Sequence, residues 1–472
     1  MIWSIIQTTG RLGITFLLFA VLALLLDPTD FGILGMAATW IAFINTFSEL
    51  GFGAALIQRE KVDSKHFSTI FFINVGIGTV LTLAGIILSW PCALFFRTPE
   101  VQPIMAVLSL SLTINSFSLT QVAIAQRKLK FRDLAIRDIS ASLIGGIMGV
   151  VFALLNFGVW SLVIQSLTTY AIGSILIWRM AQWRPSFAEY SFQCAKDLWP
   201  YSSKIFAFGI LKYFAQNVDK LLIGYFLNPV ALGLYTFAYK LVVYPVSTFA
   251  GAIGNYLFPK FSRIQDDSVL IKTSYLFFSK ATNIVVTPIM IVVAFVSPLI
   301  VPAVFGQKWS QAVPLIQILT VLSITGLWIT YVGQLMKALN RPGWLLNWSI
   351  FITFLVIAFM WSGSRLGIIG GTGGLVLAYI FSLPVNFWIL SKLISLTPRE
   401  ILDVCVLPLI AGLFMILPLW IFLENGYVYP ISIKIVIMLL FGASSYLAGL
   451  VLLDRSFLFS FFEKLKTMKH QQ

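Results

Sequence analysis

Charge is scarce in this chain. Only 11% of its 472 residues are Asp, Glu, Lys or Arg, less than half the roughly 25% of an ordinary globular domain. The longest stretch free of a membrane-grade apolar run is the 26 residues from Arg179 to Lys204, which leaves no room for a soluble catalytic domain. Cysteine is nearly absent: Cys92, Cys194 and Cys405 lie far apart. Without a C-x-x-C pair or an even-numbered set they read as inert core residues rather than a disulfide framework. The two histidines, His66 and His470, sit in polar segments, so no H-E-x-x-H motif and no intramembrane histidine metal cluster can be built, and no metal site is expected. Met1 to Leu26 lacks a basic n-region and an A-x-A-like cleavage site, and it ends at Asp27-Pro28 before another apolar run. It reads as a first span, not a cleaved signal.

Apolar sequence fills the space. The chain is 59% hydrophobic and 15% aromatic, with a mean hydropathy of +0.92. A helix needs about 20 mainly apolar residues to cross a bilayer, and fourteen candidate spans can be counted. The first seven run approximately 3 to 26, 31 to 57, 68 to 96, 102 to 125, 139 to 155, 159 to 178 and 201 to 224. The second seven run approximately 230 to 257, 274 to 304, 312 to 336, 344 to 361, 367 to 390, 404 to 423 and 431 to 453. Only Asn156, Phe157 and Gly158 separate the fifth from the sixth, a tight helical hairpin. The expected fold is an all-α polytopic membrane protein.

Basic residues give the orientation, because they stay cytoplasmic. Alternate connections and the C-terminal tail hold 23 Lys and Arg, counting Lys204 at the start of the seventh span, while the opposite connections hold only Arg97, Lys308 and Arg365. Both termini are therefore expected to be cytoplasmic. The same bias accounts for most of the net charge of +14, so nucleic acid is not an expected partner; the bilayer, with its anionic lipid, is.

An internal repeat organises the spans. Leu26 to Ala37 (LDPTDFGILGMA) reappears as Leu227 to Ala238 (LNPVALGLYTFA), an offset of 201. The same register sets Arg11 opposite Lys212, Gly53 opposite Gly254, Leu56 opposite Leu257 and Arg59 opposite Lys260. Asp or Asn before Pro marks a turn, since that residue is pushed out of the helical region and Pro then opens the next helix. A unit of six helices has thus been used twice. The expected domains are an N-lobe, 1–200, a C-lobe, 201–400, and a pair of extra helices with a basic tail, 401–472. Because six is even, the lobes share one orientation and should be related by an axis along the membrane normal, with substrate between them.

Ionisable groups inside a span cost at least about 2.5 to 3.5 kcal/mol at mid-bilayer, so they are functional candidates. In the seventh span Lys212, Gln216, Asp219 and Lys220 follow i, i+4, i+7, i+8 spacing and share a face, with Asn217 to one side. Gln7, Arg11 and Thr15 form a similar stripe in the first span. Lys240 and Lys280 interrupt other apolar runs, and Glu49 is the only acid within a span besides Asp219. Arg11 can also snorkel to the interface, and Asp219 with Lys220 can pair for packing alone. Tyr213, Tyr235, Tyr239 and Tyr244 flank these charges, as sugar-stacking faces or as core. Prolines such as Pro91, Pro245, Pro288 and Pro384, with Gly370, Gly371, Gly373 and Gly374, make pliable helices. Gly145 and Gly149 form a G-x-x-x-G pair suited to close packing.

Five segments carry a resemblance. LLDPTDFGILGMA (Leu25 to Ala37), GFGAALIQR (Gly51 to Arg59), AQRKLKFRDLA (Ala125 to Ala135), NVDKLLIGYFLNPVALGLYTFAYKL (Asn217 to Leu241) and LFPKFSRIQDD (Leu257 to Asp267) resemble the polysaccharide transport family. That family holds Wzx-type and colanic-acid-exporter-type flippases within the MOP exporter superfamily. The resemblance runs from about Trp3 to the mid-260s and is only hydropathic beyond. It implies two six-helix lobes around a central cationic cavity, alternating access, and an oligosaccharide repeat unit hung from undecaprenyl diphosphate as substrate. It also implies a polysaccharide polymerase and a chain-length regulator as partners. Members usually carry a short polar leader, whereas this chain starts Met1-Ile-Trp-Ser; a late-assigned start codon is the expectation, which sets Arg11 deeper in its helix.

The mechanism implied is transport without covalent chemistry or cofactor. A diphosphate cannot cross about 30 Å of hydrocarbon unassisted, so Arg11 and Lys212, with Gln216, Asn217, Lys220, Lys240 and Lys280, are the expected substrate-binding residues. Asp219 or Glu49 is the candidate site for a coupling proton or sodium ion. Three rivals stay open: a multidrug or cation antiporter of the same superfamily, which needs an acidic cavity; a peptidoglycan-precursor flippase; and a membrane polymerase or glycosyltransferase. The last needs a large outward loop or a carboxylate pair, and neither stands out here.

Overall fold

In a computed structural model of the chain, the described backbone comprises residues 2–48, 50–425 and 431–470, and the described side chains are 7, 10–48, 50–421 and 433–454. The described residues are helical with turns, and no strand occurs among them. Packing divides the chain into two compact units, Met1–Thr236 and Phe237–Gln472.

The first unit holds α1 (Ile2–Leu25), α2 (Pro28–Asn45), α3 (Phe52–Gln58), α4 (Ser64–Phe96), α5 (Val101–Leu108), α6 (Leu110–Arg127), α7 (Phe131–Leu154), α8 (Val159–Met180) and α9 (Phe192–Phe226). The boundary between the units falls within α10 (Pro229–Arg263). In the second lie α11 (Ser268–Ile300), α12 (Val313–Leu327), α13 (Val332–Ala338), α14 (Pro342–Ser364), α15 (Gly367–Ile394), α16 (Pro398–Asn425) and α17 (Ile431–His470).

Eleven helical stretches among the described residues are long and apolar enough to cross a bilayer, from Ser64–Phe96 to Ile433–Asp454. They coincide with eleven of the fourteen expected spans. The other three fall on α1, whose apolar part is only Gly10–Leu25; on α2, which stops after 18 residues; and on α9, which carries Lys204, Lys212, Asp219 and Lys220. The expected span 31 to 57 is in fact broken, with turns at residues 46–48 and 50–51 setting α3 off from α2.

The repeated motif opens its helices as expected. The backbone N–H of Asp27 donates to Asp30 Oδ2 at 3.0 Å ahead of α2. At the equivalent place before α10 the Asn228 side chain accepts from the N–H of Ala231 at 2.8 Å. Each short polar side chain pairs a backbone group that a helix N-terminus leaves unsatisfied, and Pro at the first helical position has no N–H to lose.

Along residues 74–89 of α4 burial is inverted, as a hydrocarbon solvent allows. On α4 the buried face is Asn74, Gly78, Thr82, Gly85 and Ser89, while Val80, Leu83 and Ile87 are exposed. Lipid is as apolar as leucine, so helices associate through small residues and interhelical hydrogen bonds. Thr82 accordingly donates to the Ser109 carbonyl at 2.9 Å and lies 2.8 Å from the Thr113 hydroxyl of α6. Gly145 and Gly149 face Gln165 and Thr169 of α8, so that pair serves the α7/α8 hairpin. In the second unit Val296, Ala411, Met415, Leu419, Met438 and Tyr446 form the core shared by α11, α16 and α17.

Candidate functional site

α9 is held along α2 in antiparallel fashion. A Cβ on Gly209 would lie 3.3 Å from the Thr46 methyl, and the Tyr213 hydroxyl donates to the Thr39 carbonyl at 2.8 Å. With Tyr213 turned into this contact, its neighbour Lys212 is exposed, and so is Gln216 one turn on. Among the described residues none forms an ion pair or hydrogen bond with the Lys212 ammonium.

The far end of that polar stripe is enclosed. Asp219 is only 6% exposed, and the fully buried Tyr235 donates to its Oδ2 at 2.6 Å. Asn217 and Lys220 are half-buried. Asn217 donates to the Tyr213 carbonyl at 3.0 Å and accepts from Lys220 Nζ at 3.2 Å. The helical spacing thus places four polar side chains on one face, but packing sorts them: two stay open, and Asp219 is bound into the protein.

Arg11 belongs to a second group that combines α1, α7 and α8. Its side chain is 55% exposed, and its guanidinium stands 3.9 Å from Asp138 Oδ2 of α7. The same oxygen accepts from Gln7 Nε2 at 2.8 Å. Arg137 pairs with the other oxygen at 3.0 Å and donates through Nε to the Gly173 carbonyl of α8 at 2.9 Å. Arg137 and Asp138 were not singled out as site residues, because the sequence places them in a connection before a span beginning at 139. α7 in fact starts at Phe131. The signal available was Asp133 in a first helical turn, which favours a helix start there.

Lys280, in the second unit, is ion-paired with Asp454, where α17 kinks out of helical geometry. Both side chains are nearly buried, at 14% and 13% exposure. Lys240 is half-buried on α10. Glu49 lies outside the described residues.

A cleft of about 460 Å³ is lined by Gln58, Arg59, Asp197 and Tyr201, with the Arg59 and Asp197 charges 3.7 Å apart. Beside it Arg127, at the end of α6, donates to the carbonyls of Leu56, Ile57 and Glu60 at 2.8, 3.2 and 2.6 Å. This guanidinium closes the C-terminal end of α3, where helix carbonyls lack partners. His66, which caps α4 through its Nδ1, serves structure there. Among the described residues no group of three or more His, Cys, Asp or Glu could hold a metal ion.

Comparison with known proteins adds a second line of observation. Residues 21–314 match the family described as polysaccharide biosynthesis protein. The chain is 27% identical to the lipopolysaccharide biosynthesis protein WzxC of Escherichia coli (strain K12), over 83% of this chain and 80% of that one. It is 25% identical to the teichuronic acid biosynthesis protein TuaB of Bacillus subtilis (strain 168), over 84% and 82%. Among solved structures, the lipid II flippase MurJ in an inward closed conformation superimposes with a TM-score of 0.76, covering 97% of this chain and 99% of that one at 14% identity. That likeness is one of fold.

Proposed function

The chain belongs to the polysaccharide biosynthesis protein family, and from that membership we propose that it is a flippase for lipid-linked oligosaccharides. One observation carries the reading: a polysaccharide biosynthesis protein built almost wholly of membrane-crossing helices. Its step is therefore transport, not bond making. The substrate is an oligosaccharide repeat unit on undecaprenyl diphosphate, and the membrane is the bacterial inner membrane, with both termini cytoplasmic as the basic residues argue. The peptidoglycan-precursor reading shares the fold. Family membership, which rests on sequence, favours the polysaccharide branch.

The head group crosses by alternating access between two six-helix lobes, 1–200 and 201–400, with 401–472 as an addition outside the repeat. Exposed Arg11 and Lys212 bind the diphosphate, and Gln216 and Asn217 bind sugar hydroxyls. Lys220, Lys240 and Lys280 add positive field, while Asp219 or Glu49 takes a coupling proton or sodium ion. An anion meeting a preformed cation in a water-filled cleft replaces its hydration shell with charge-assisted hydrogen bonds, and the lipid tail stays in the bilayer. A polymerase and a chain-length regulator act on the product outside.

Deletion of the gene in its host tests this. Surface polysaccharide should disappear and lipid-linked single repeat units should accumulate in the inner leaflet. Normal polysaccharide with new sensitivity to cationic drugs would overturn the reading in favour of a cation antiporter.

A further inference from the structure

The group around Asp138 contains two cations and one anion, and its hydrogen bonds are unevenly shared. Arg137 is engaged on two sides, Nε donating to the Gly173 carbonyl at 2.9 Å and one amino group to Asp138 Oδ1 at 3.0 Å, while the other stands 3.5 Å from the Ser118 hydroxyl. Asp138, 13% exposed, has its second oxygen taken by Gln7 at 2.8 Å. Arg11 stands 3.9 Å from that oxygen, inside ion-pair range but beyond the roughly 3.2 Å limit of an N–H···O bond. So the Asp138 carboxylate is already neutralised and hydrogen-bonded without Arg11. The guanidinium is held by charge while its donor fork makes no hydrogen bond among the described residues, and the Arg11 side chain is more exposed than those of Asp138 and Arg137.

We infer that Asp138 is a positioning residue that acts as an internal stand-in for the substrate's phosphate: Arg11 rests against it and leaves it for the diphosphate. Gln7 and Arg137 tune the exchange, because each takes one acceptor site on an Asp138 oxygen and Arg137 also supplies the neutralising charge, which weakens the hold on Arg11. This rests on the reading of the substrate as a lipid diphosphate. A carboxylate that competes for Arg11 weakens capture but speeds release, which a transporter needs as much as binding. Two opposite consequences follow. Asp138→Asn removes the competitor, so anion affinity rises and release slows. Gln7→Leu changes no charge but frees Oδ2 to clamp Arg11, so affinity falls.

The test is binding of farnesyl diphosphate, a short-chain polyprenyl diphosphate, to the full-length protein in nanodiscs. The same variants are then treated with phenylglyoxal, and modification of Arg11 is followed by mass spectrometry. Asp138→Asn should tighten binding about two- to fivefold, the range of a partly exposed ion pair, and speed modification of Arg11. Gln7→Leu should move both in the opposite direction. In an Arg11→Gln background neither substitution should alter binding. Shifts of the same sign in the two variants, or an Asp138→Asn effect that survives Arg11→Gln, would overturn the inference. No binding to the unmodified protein would count against the substrate reading, and the phenylglyoxal rates would then decide the Asp138–Arg11 relation by themselves.

Discussion

Gly32 and Gly233, 201 residues apart, occupy reciprocal positions in one contact. A Cβ built on Gly32 would lie 1.7 Å from the carbonyl oxygen of Pro229, and a Cβ on Gly233 would lie 1.8 Å from that of Pro28. The two prolines are themselves 201 residues apart. The repeat read in sequence is thus also a repeat in contact: the opening turns of α2 and α10 cross so closely that neither tolerates a side chain at the crossing.

Either glycine replaced by alanine must force the helices apart. Gly32→Ala and Gly233→Ala should each destabilise by about 1–3 kcal/mol or more, the cost of overpacking, and by similar amounts. Thermal unfolding of the detergent-solubilised protein checks this. A large loss in one variant and none in the other would contradict the reciprocity.

Arg127 serves several carbonyls with one planar fork, which an ammonium cannot imitate. Arg127→Ala should cost about 2–4 kcal/mol, the worth of one or two charged hydrogen bonds at about 1.5–3 each, because the exposed carbonyls of Ile57 and Glu60 can turn to water, and Arg127→Lys should recover less than half. Proteolysis at the link between α3 and α4 would rise in step.

Legibility in the sequence followed the physics of each signal. Hydropathy and the Asp-Pro and Asn-Pro turns are local, so eleven spans and the entries to α2 and α10 were readable. The break between α2 and α3 was not, because Phe47 and Leu50 continue the apolar run through it. For the candidate site, spacing along α9 set Lys212, Gln216, Asp219 and Lys220 on one helix face but could not say that Tyr235 closes over Asp219. Arg137 and Asp138 were missed because two adjacent charges resemble a connection; what keeps them in a membrane helix is each other and the Gly173 carbonyl, which are tertiary facts. Lys280 looked like a lone cation because its partner is 174 residues away.

That partner gives a prediction. Removing one member of a nearly buried ion pair leaves an uncompensated charge, at about 3–5 kcal/mol, while removing both is far milder. Lys280→Gln should lower thermal stability sharply, and Lys280→Gln with Asp454→Asn should restore most of it. If Lys280 also contributes field to the substrate, the stable double variant should still transport more slowly.

Glu189 ties the connection between α8 and α9 to α4. Its carboxylate accepts from the Ser64 and Ser68 hydroxyls at 2.6 and 2.8 Å. Those bonds hold its pKa below the usual carboxylate value, with partial desolvation opposing and Lys65 assisting. A lowered folded-state pKa means the contribution is fully present above the unfolded value near 4.5 and disappears as pH falls through the folded value. Glu189→Gln should therefore lower stability at neutral pH and flatten the acid side of the stability–pH curve, with the two proteins converging as pH falls below the folded value.

Lys212 offers the cleanest separation of transport from folding. It is exposed, and no described residue pairs with it, so Lys212→Gln should shift stability by no more than about 0.5 kcal/mol, as for substitutions away from structural features. The cation is nonetheless at the repeat equivalent of Arg11, on an exposed side of α9 where an arriving anion meets an ammonium with no described partner. Losing its contact with a phosphate would remove about 1.5–3 kcal/mol, or about ten- to a hundredfold in apparent affinity. Export of lipid-linked oligosaccharide in membrane vesicles should therefore fall at low substrate and recover as substrate is raised, with melting temperature unchanged. Full export at low substrate by Lys212→Gln would mean that the ammonium faces lipid head groups and that Arg11 carries the anion alone.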